Sequence, residues 1–299
     1  MRIELQDINN PFGPGAFTRG INDVLPFFCK KCIFTSLHFN NSFIDFYYII
    51  SPSFSENYYE KLVNIKLINK YILGPIFVPE SWKKFPQKKF WKEKRFSEIL
   101  NNVKGVVVHS NRVLNHLANR TNTTKDKKKF ILVRACTNLK LSSVKSFHER
   151  KIDIILYEKY ADFNYTNEAK ILLSKLNQKK IIFRLKYGNY AKNQLIEIAN
   201  NSKFIIYFSF YDTGAIGLKE IQNFGVIAFT LQKDLVLSNE TTFYIPELED
   251  KKRIDIAAQK INEIIDNIEK KKPNLSLIAK INQNINNCRN ALKDLCQSL

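Results

Sequence analysis

The segment from Phe204 to Thr230, FIIYFSFYDTGAIGLKEIQNFGVIAFT, narrows the possible folds more than any other part of the chain. It begins with an apolar run rich in Ile, Phe and Tyr, the composition of a parallel strand buried on both faces. A small polar turn containing glycine follows, Asp212-Thr213-Gly214. Next comes a stretch of helical spacing, Ile216 to Ile221, ending at Gly225, and a second apolar run from Val226 to Phe229. Strand, glycine turn, helix and strand in that order form the repeating unit of an open parallel α/β sheet. In such sheets ligands sit beyond the carboxyl ends of the strands, where helix N-termini direct N–H groups outward. The turn from Asp212 to Ala215 is therefore a natural seat for an anionic ligand such as a diphosphate.

Asp212 and Glu220 bracket the seven residues TGAIGLK, and Gly225 stands just before the next strand. This arrangement resembles the donor-sugar site of GT-B glycosyltransferases, most closely the large family 4 type. The resemblance implies an α/β protein of two Rossmann-like domains facing a cleft, with C-terminal helices. It further implies that Glu220 hydrogen-bonds the ribose of the nucleotide and that Asp212 faces the donor sugar as a catalytic residue. Thr213, Gly214 and Ala215 would then present backbone N–H groups to the diphosphate. The chemistry is sound by itself. A carboxylate accepts paired hydrogen bonds from a vicinal diol, and a turn without a Cβ lets phosphate oxygens approach the backbone. The first acid is Asp where the family usually has Glu. The alternative structural reading makes Glu220 a solvated helix residue and Asp212 a helix N-cap.

The remaining pattern fits two domains, 1–139 and 152–272, joined by a polar, non-periodic linker at 140–151 and followed by a C-terminal segment at 273–299. Arg2 to Leu5 reads as a strand, and a Gly/Pro loop then carries Gly13 and Gly15 ahead of a helical stretch. In the family such a loop touches donor phosphate and acceptor, although Gly-Pro-Gly also serves any tight turn. Further strands are expected at Phe43–Ile50, Lys70–Pro75, Val103–His109 and Phe130–Arg134, with a helix at Asn111–Asn119. His109 ends its strand and is the candidate for a group near the reacting sugar, ahead of His38, His116 and Asp23. A histidine hydrogen-bonded at a strand end is the competing reading. The text Arg134-Ala135-Cys136-Thr137-Asn138 departs from the family's usual Pro-Asn-Gly at this point. In the second domain Lys159 follows the first strand, where relatives place a cation against the diphosphate. Lys186 and Gly188 follow the second strand, and Lys186 can face phosphate there or serve as plain surface. Two amphipathic helices are expected at the end, Arg253–Lys270 and, after Pro273, Ser276–Leu295. The last either crosses back to the first domain or mediates oligomerisation.

The formal net charge of +19 is consistent with a basic face on an anionic membrane or a nucleic acid. Lysine runs are more often solvated surface, and no nucleic-acid-binding motif accompanies them, so specific nucleic-acid binding is not expected. Lysines interleaved with Trp82, Phe85, Phe90 and Trp91 can form an interfacial patch for a lipid acceptor, or their rings can pack on the core. No long uncharged apolar run is present, and the N-terminus does not read as a signal peptide, which points to a cytoplasmic protein, peripheral at most on the inner membrane face. Five scattered cysteines, including a lone Cys29-x-x-Cys32 pair, read as reduced thiols. The absent G-x-G-x-x-G argues against a dinucleotide oxidoreductase.

The resemblance thus implies a hexosyltransferase that moves sugar from a nucleotide-sugar to a glycan or lipid-linked acceptor, with retention and without metal or other cofactor. Protein cations would hold the leaving diphosphate. The alternative is a non-catalytic relative that keeps the fold as a binding or scaffold protein.

Overall fold

The computed structural model describes residues 3–5, 46–50, 71–74, 100–101, 103–119, 128–137, 143–159, 163–176, 179–209, 212, 214–235 and 241–298. The chain divides into two compact units, one formed by 1–138 with 287–299 and the other by 139–286.

In the first unit five described strands lie parallel in chain order: β1 (Ile3–Leu5), β2 (Phe46–Ile50), β3 (Tyr71–Gly74), β4 (Gly105–Val108) and β5 (Phe130–Leu132). All four residues of β4 are buried, as its GVVV sequence demands. Helix α1 (Asn111–Asn119) follows β4 and buries Val113 and Leu117, four residues apart on one face. Ser110 precedes it, and its hydroxyl accepts the Val113 N–H at 3.2 Å, an N-cap bond.

The second unit is a doubly wound sheet. Its strands are β6 (Ile152–Glu158), β7 (Ile182–Lys186), β8 (Ser202–Phe208), β9 (Ile227–Thr230) and β10 (Thr242–Tyr244), in the spatial order β10-β9-β8-β6-β7, all parallel. Between them lie α2 (Phe163–Lys175), α3 (Lys192–Asn200) and α4 (Ile216–Gln222); α5 (Ile254–Lys271) and α6 (Leu275–Ile285) complete the unit. Alternation with period two divides the sheet's side chains between two cores. Ile154, Leu156, Phe204, Ile206, Phe208 and Phe229 point to one face and pack on α2 and α5. Ile155, Tyr157, Ile205, Tyr207 and Ala228 point to the other and pack on α3 and α4. Each fully buried Ile, Leu or Phe among them contributes roughly 1.5–3 kcal/mol. The chain runs from β6 to β7 by one face, then returns by the other to place β8 on the far side of β6. The strand order therefore reverses between β6 and β8.

Two differences from the sequence reading have clear physical causes. The expected single helix over 276–295 is broken. Asn286 caps the end of α6, and the Asn287 side chain accepts the Arg289 N–H at 2.8 Å to start a new helix, α7 (Cys288–Ser298). Asn282 and Asn286 are also buried, donating to Gln222 O at 2.8 Å and Asn223 Oδ1 at 3.2 Å, so the polar residues face inward. The described part of the polar stretch read as a linker, 143–151, is built into the second unit. Its 3₁₀ turn, Phe147–Glu149, buries Phe147 beside Phe204 and is closed by Glu149 accepting from the Ser146 N–H and hydroxyl at 2.8 and 2.7 Å. The buried Arg150 guanidinium then donates to the carbonyls of Lys145, Ser202 and Phe224, fastening three segments. Burial pushes this guanidinium down to about 10, which leaves it charged at neutral pH.

Candidate functional site

The reversal between β6 and β8 lies at the carboxyl edge of the sheet, the position where open α/β sheets hold ligands. Lys159 follows β6 directly, and its backbone N–H donates to Phe208 O at 3.1 Å, which keeps it beside the end of β8. Its ammonium meets Asp212 Oδ2 at 2.6 Å, with both side chains under a tenth exposed. The Tyr207 hydroxyl donates to the same oxygen. The other oxygen, Oδ1, turns back on its own loop and accepts the N–H groups of Gly214 at 3.3 Å and Ala215 at 3.0 Å. Burial works to raise the Asp212 carboxyl, but the Lys159 charge and these hydrogen bonds together hold it below the usual carboxylate range.

The turn they close is unusual. Ala215, the N-cap of α4, has φ 44° and ψ 41°, a left-handed conformation rarely adopted by residues other than glycine. Lys159 also lies 4.9 Å from the centroid of the Tyr187 ring, a cation–π distance.

An aromatic group packs beside this pair. The β6–β8 register sets Tyr157 opposite Tyr207, and their rings stack with centroids 5.1 Å apart. The Tyr157 and Tyr190 hydroxyls are 2.5 Å apart. Burial first, then Tyr190 and Asp212, push the Tyr157 phenol far above its ordinary range. Tyr190 is raised as well, by burial first; the Lys159 charge opposes that shift and the Glu220 charge adds to it. Tyr190 therefore stands in the field of both Lys159 and Glu220. Glu220 is half-buried on the second turn of α4, beside a shallow crease formed with Lys192, Leu195, Ile196 and Phe224.

The structure thus brings together Asp212, Lys159, Gly214 and Ala215, with Glu220 one helical turn further on. Thr213 lies outside the described residues, as do Gly13, Gly15, His38, Asp23, the Cys29–Cys32 pair and the stretch from Trp82 to Trp91. Lys186 is exposed at the last position of β7, and Gly188 is exposed in the following turn with φ +85°. In the first unit His109 is half-buried just after β4, and its Nδ1 is 2.7 Å from Val133 O. Since a carbonyl only accepts, Nδ1 carries the proton and a neutral ring presents Nε2 as the basic nitrogen. The sequence reading missed Tyr157, Tyr187, Tyr190 and Tyr207. Tyrosines at the carboxyl ends of buried strands, where a hydroxyl can reach a polar partner, were the available signal.

Among the described residues no group of three or more His, Cys, Asp or Glu side chains is arranged to hold a metal ion. None of the described helices is long and apolar enough to cross a membrane.

No family model matches the chain, and no curated protein matches it by sequence. Solved structures do match. An α-glucosyltransferase in complex with UDP and a 13-mer DNA containing an HMU base is similar over 100% of this chain and 99% of its own, with 13% identity and a TM-score of 0.60. TarM is similar over 81% of this chain at 12% identity and a TM-score of 0.50; the chain spans 57% of its length. The chain accordingly has a GT-B-type fold, two parallel α/β units with helices at the C-terminal end.

Proposed function

We propose that the chain is a nucleotide-sugar-dependent glycosyltransferase whose donor nucleotide binds at the reversal between β6 and β8. The observation that carries this reading is the pairing of Lys159 with Asp212 across that reversal, with Glu220 one turn into the helix that follows. The ammonium offers a fixed positive charge to a diphosphate, and Glu220 offers a carboxylate to a ribose diol. The fold shared with an α-glucosyltransferase in complex with UDP supports the same assignment. The reading includes transfer with retention and without metal, in which protein cations, Lys159 and Lys186 among them, balance the leaving diphosphate. His109 acts near the reacting sugar.

The test is thermal shift and calorimetry with UDP-, GDP- and CMP-sugars, with Glu220→Ala as control. Stabilisation of the wild type by one of these donors, reduced in the variant, is the expected result. Absence of any shift in the wild type, or an equal shift in the variant, rejects the donor site.

The acceptor is proposed to be a glycan or a lipid-linked sugar, with the basic surface holding the protein on an anionic inner leaflet. A second reading, DNA as acceptor, is favoured by the net charge of +19 and by the DNA in the similar α-glucosyltransferase structure. Sugar transfer from a labelled donor to duplex DNA, against transfer to lipid extracts, separates the two.

A further inference from the structure

Asp212 stands where the resemblance assigns a contact with the donor sugar, and its hydrogen-bond capacity can be counted. A carboxylate offers about four lone-pair sites. At Asp212 four donors occupy them: the Lys159 ammonium and the Tyr207 hydroxyl on Oδ2, and the Gly214 and Ala215 N–H groups on Oδ1. Its side chain is 5% exposed. A sugar hydroxyl that donated to this carboxylate would have to displace one of these partners. Two of them would be costly to lose. Lys159, a buried cation, would lose the carboxylate that it meets at 2.6 Å. Ala215 would lose the bond that accompanies its left-handed backbone, a strained conformation for a residue other than glycine.

The side chain's length explains the difference from the family pattern. Asp is one methylene shorter than Glu, so its oxygens reach the N–H groups two and three residues ahead. A longer carboxylate at this point would extend past the turn. We infer that Asp212 is a positioning residue: it fixes the Lys159 ammonium and the Gly214–Ala215 turn for a nucleoside diphosphate and makes no contact of its own with the donor sugar. The inference rests on the donor site proposed above.

Tyr207 belongs to the same device. Its ring is held by the stack on Tyr157, and its hydroxyl donates to Oδ2 and fixes that oxygen beside Lys159. Lys159 is thus held on three sides, by Asp212, by the Tyr187 ring and by its own backbone bond to Phe208.

The experiment measures binding of UDP, UDP-glucose, GDP and GDP-mannose to the wild type, Asp212→Asn, Lys159→Met, the double variant and Tyr207→Phe. For whichever nucleotide binds, Asp212→Asn weakens the free diphosphate and its sugar by the same factor. That factor is about tenfold, the scale of one charge-assisted hydrogen bond. The Asp212→Asn/Lys159→Met double variant binds no worse than the weaker single variant, because the two residues act as one unit. Tyr207→Phe shows the same pattern, with a smaller loss. Arg150→Lys, which touches neither Asp212 nor any of its four partners, controls for destabilisation: stability falls while both affinities stay unchanged.

If Asp212→Asn leaves the free diphosphate untouched and weakens only the nucleotide-sugar, Asp212 contacts the sugar and the inference is overturned. If the wild type binds no nucleotide at all, the donor-site reading fails instead. The positioning role is then decided without ligand, by hydrogen exchange across 214–218. Faster exchange in Asp212→Asn supports the anchoring of the turn, and unchanged exchange overturns it.

Discussion

A Cβ added at Gly217 would lie 2.9 Å from the Tyr157 hydroxyl. Gly217 sits on the first turn of α4, and its missing side chain lets that helix settle against the hydroxyls of Tyr157 and Tyr190. Tyr157 cannot easily give way, because its ring is buried, stacked on Tyr207 and hydrogen-bonded to Tyr190. Gly217→Ala gains up to about 1 kcal/mol of helix propensity but overpacks the contact by about 1–3 kcal/mol. The expected outcome is net destabilisation, read as a lower urea midpoint, with donor affinity falling as Glu220 shifts with its helix. A more stable variant with intact affinity would contradict the packing argument.

Gly225 and Gly188 both have left-handed backbones, with φ +78° and +85°, but different surroundings. A Cβ at Gly225 would lie 2.2 Å from the Leu275 carbonyl oxygen, a backbone atom at the start of α6. Nothing lies within 4 Å of one at Gly188. Gly188→Ala should therefore cost only the backbone penalty, about 1–2 kcal/mol. Gly225→Ala adds a clash that only movement of α6 relieves, and a loss above about 3 kcal/mol or failure to fold is expected. Urea denaturation of the two variants side by side measures the difference.

Asp212 makes stability depend on acid. Its folded-state pKa lies below the unfolded value, so its contribution is fully present above the unfolded pKa and disappears as pH falls through the folded one. The window opens below about pH 4, where an unfolded Asp begins to protonate. Urea midpoints of the wild type between pH 7 and pH 2 should fall more steeply in that window than those of Asp212→Asn. Parallel curves would place the acid-sensitive group elsewhere.

Arg150 tests the fastening of the segment before β6. Arg150→Ala leaves the carbonyls of Lys145, Ser202 and Phe224 without these donors. A buried polar group left without its partner costs about 1–3 kcal/mol, so the variant should lose several kcal/mol. Arg150→Lys keeps the charge but not the planar fork, and a smaller loss is expected. Equal midpoints for wild type and Arg150→Lys would show that the forked geometry is not needed.

Sheet and helices of the second unit were readable because their signals are local. The alternation of Phe204, Ile206 and Phe208 against Ile205 and Tyr207 states two buried faces before any partner is known. The neighbourhood of Asp212 was readable from its spacing to Glu220 and the glycines between. Its partners were less so: Lys159 is 53 positions away and meets Asp212 only because β6 and β8 become neighbours. The Tyr157–Tyr207 stack depends on register, which no single strand encodes. The break at Asn286 was hidden because Leu277, Ile278, Ile281, Ile285 and Leu292 continue a helical spacing through it. Arg150 was hidden within the stretch read as a linker, because an arginine donating mainly to backbone carbonyls leaves no complementary acid in the sequence.

The helix that begins after Asn287 packs on β5 and buries Cys288, Ala291, Leu292 and Leu295 within the first unit. The polypeptide therefore passes between its halves twice, near 138 and again at 286. No single cleavage can release either half intact: a fragment stopping at 138 forfeits a wall of its own interior, and one starting at 139 carries that wall away, greasy side exposed. Separate production of the halves calls for a fusion of 287–299 onto the first, and the halves of a once-nicked chain should stay together through that borrowed helix.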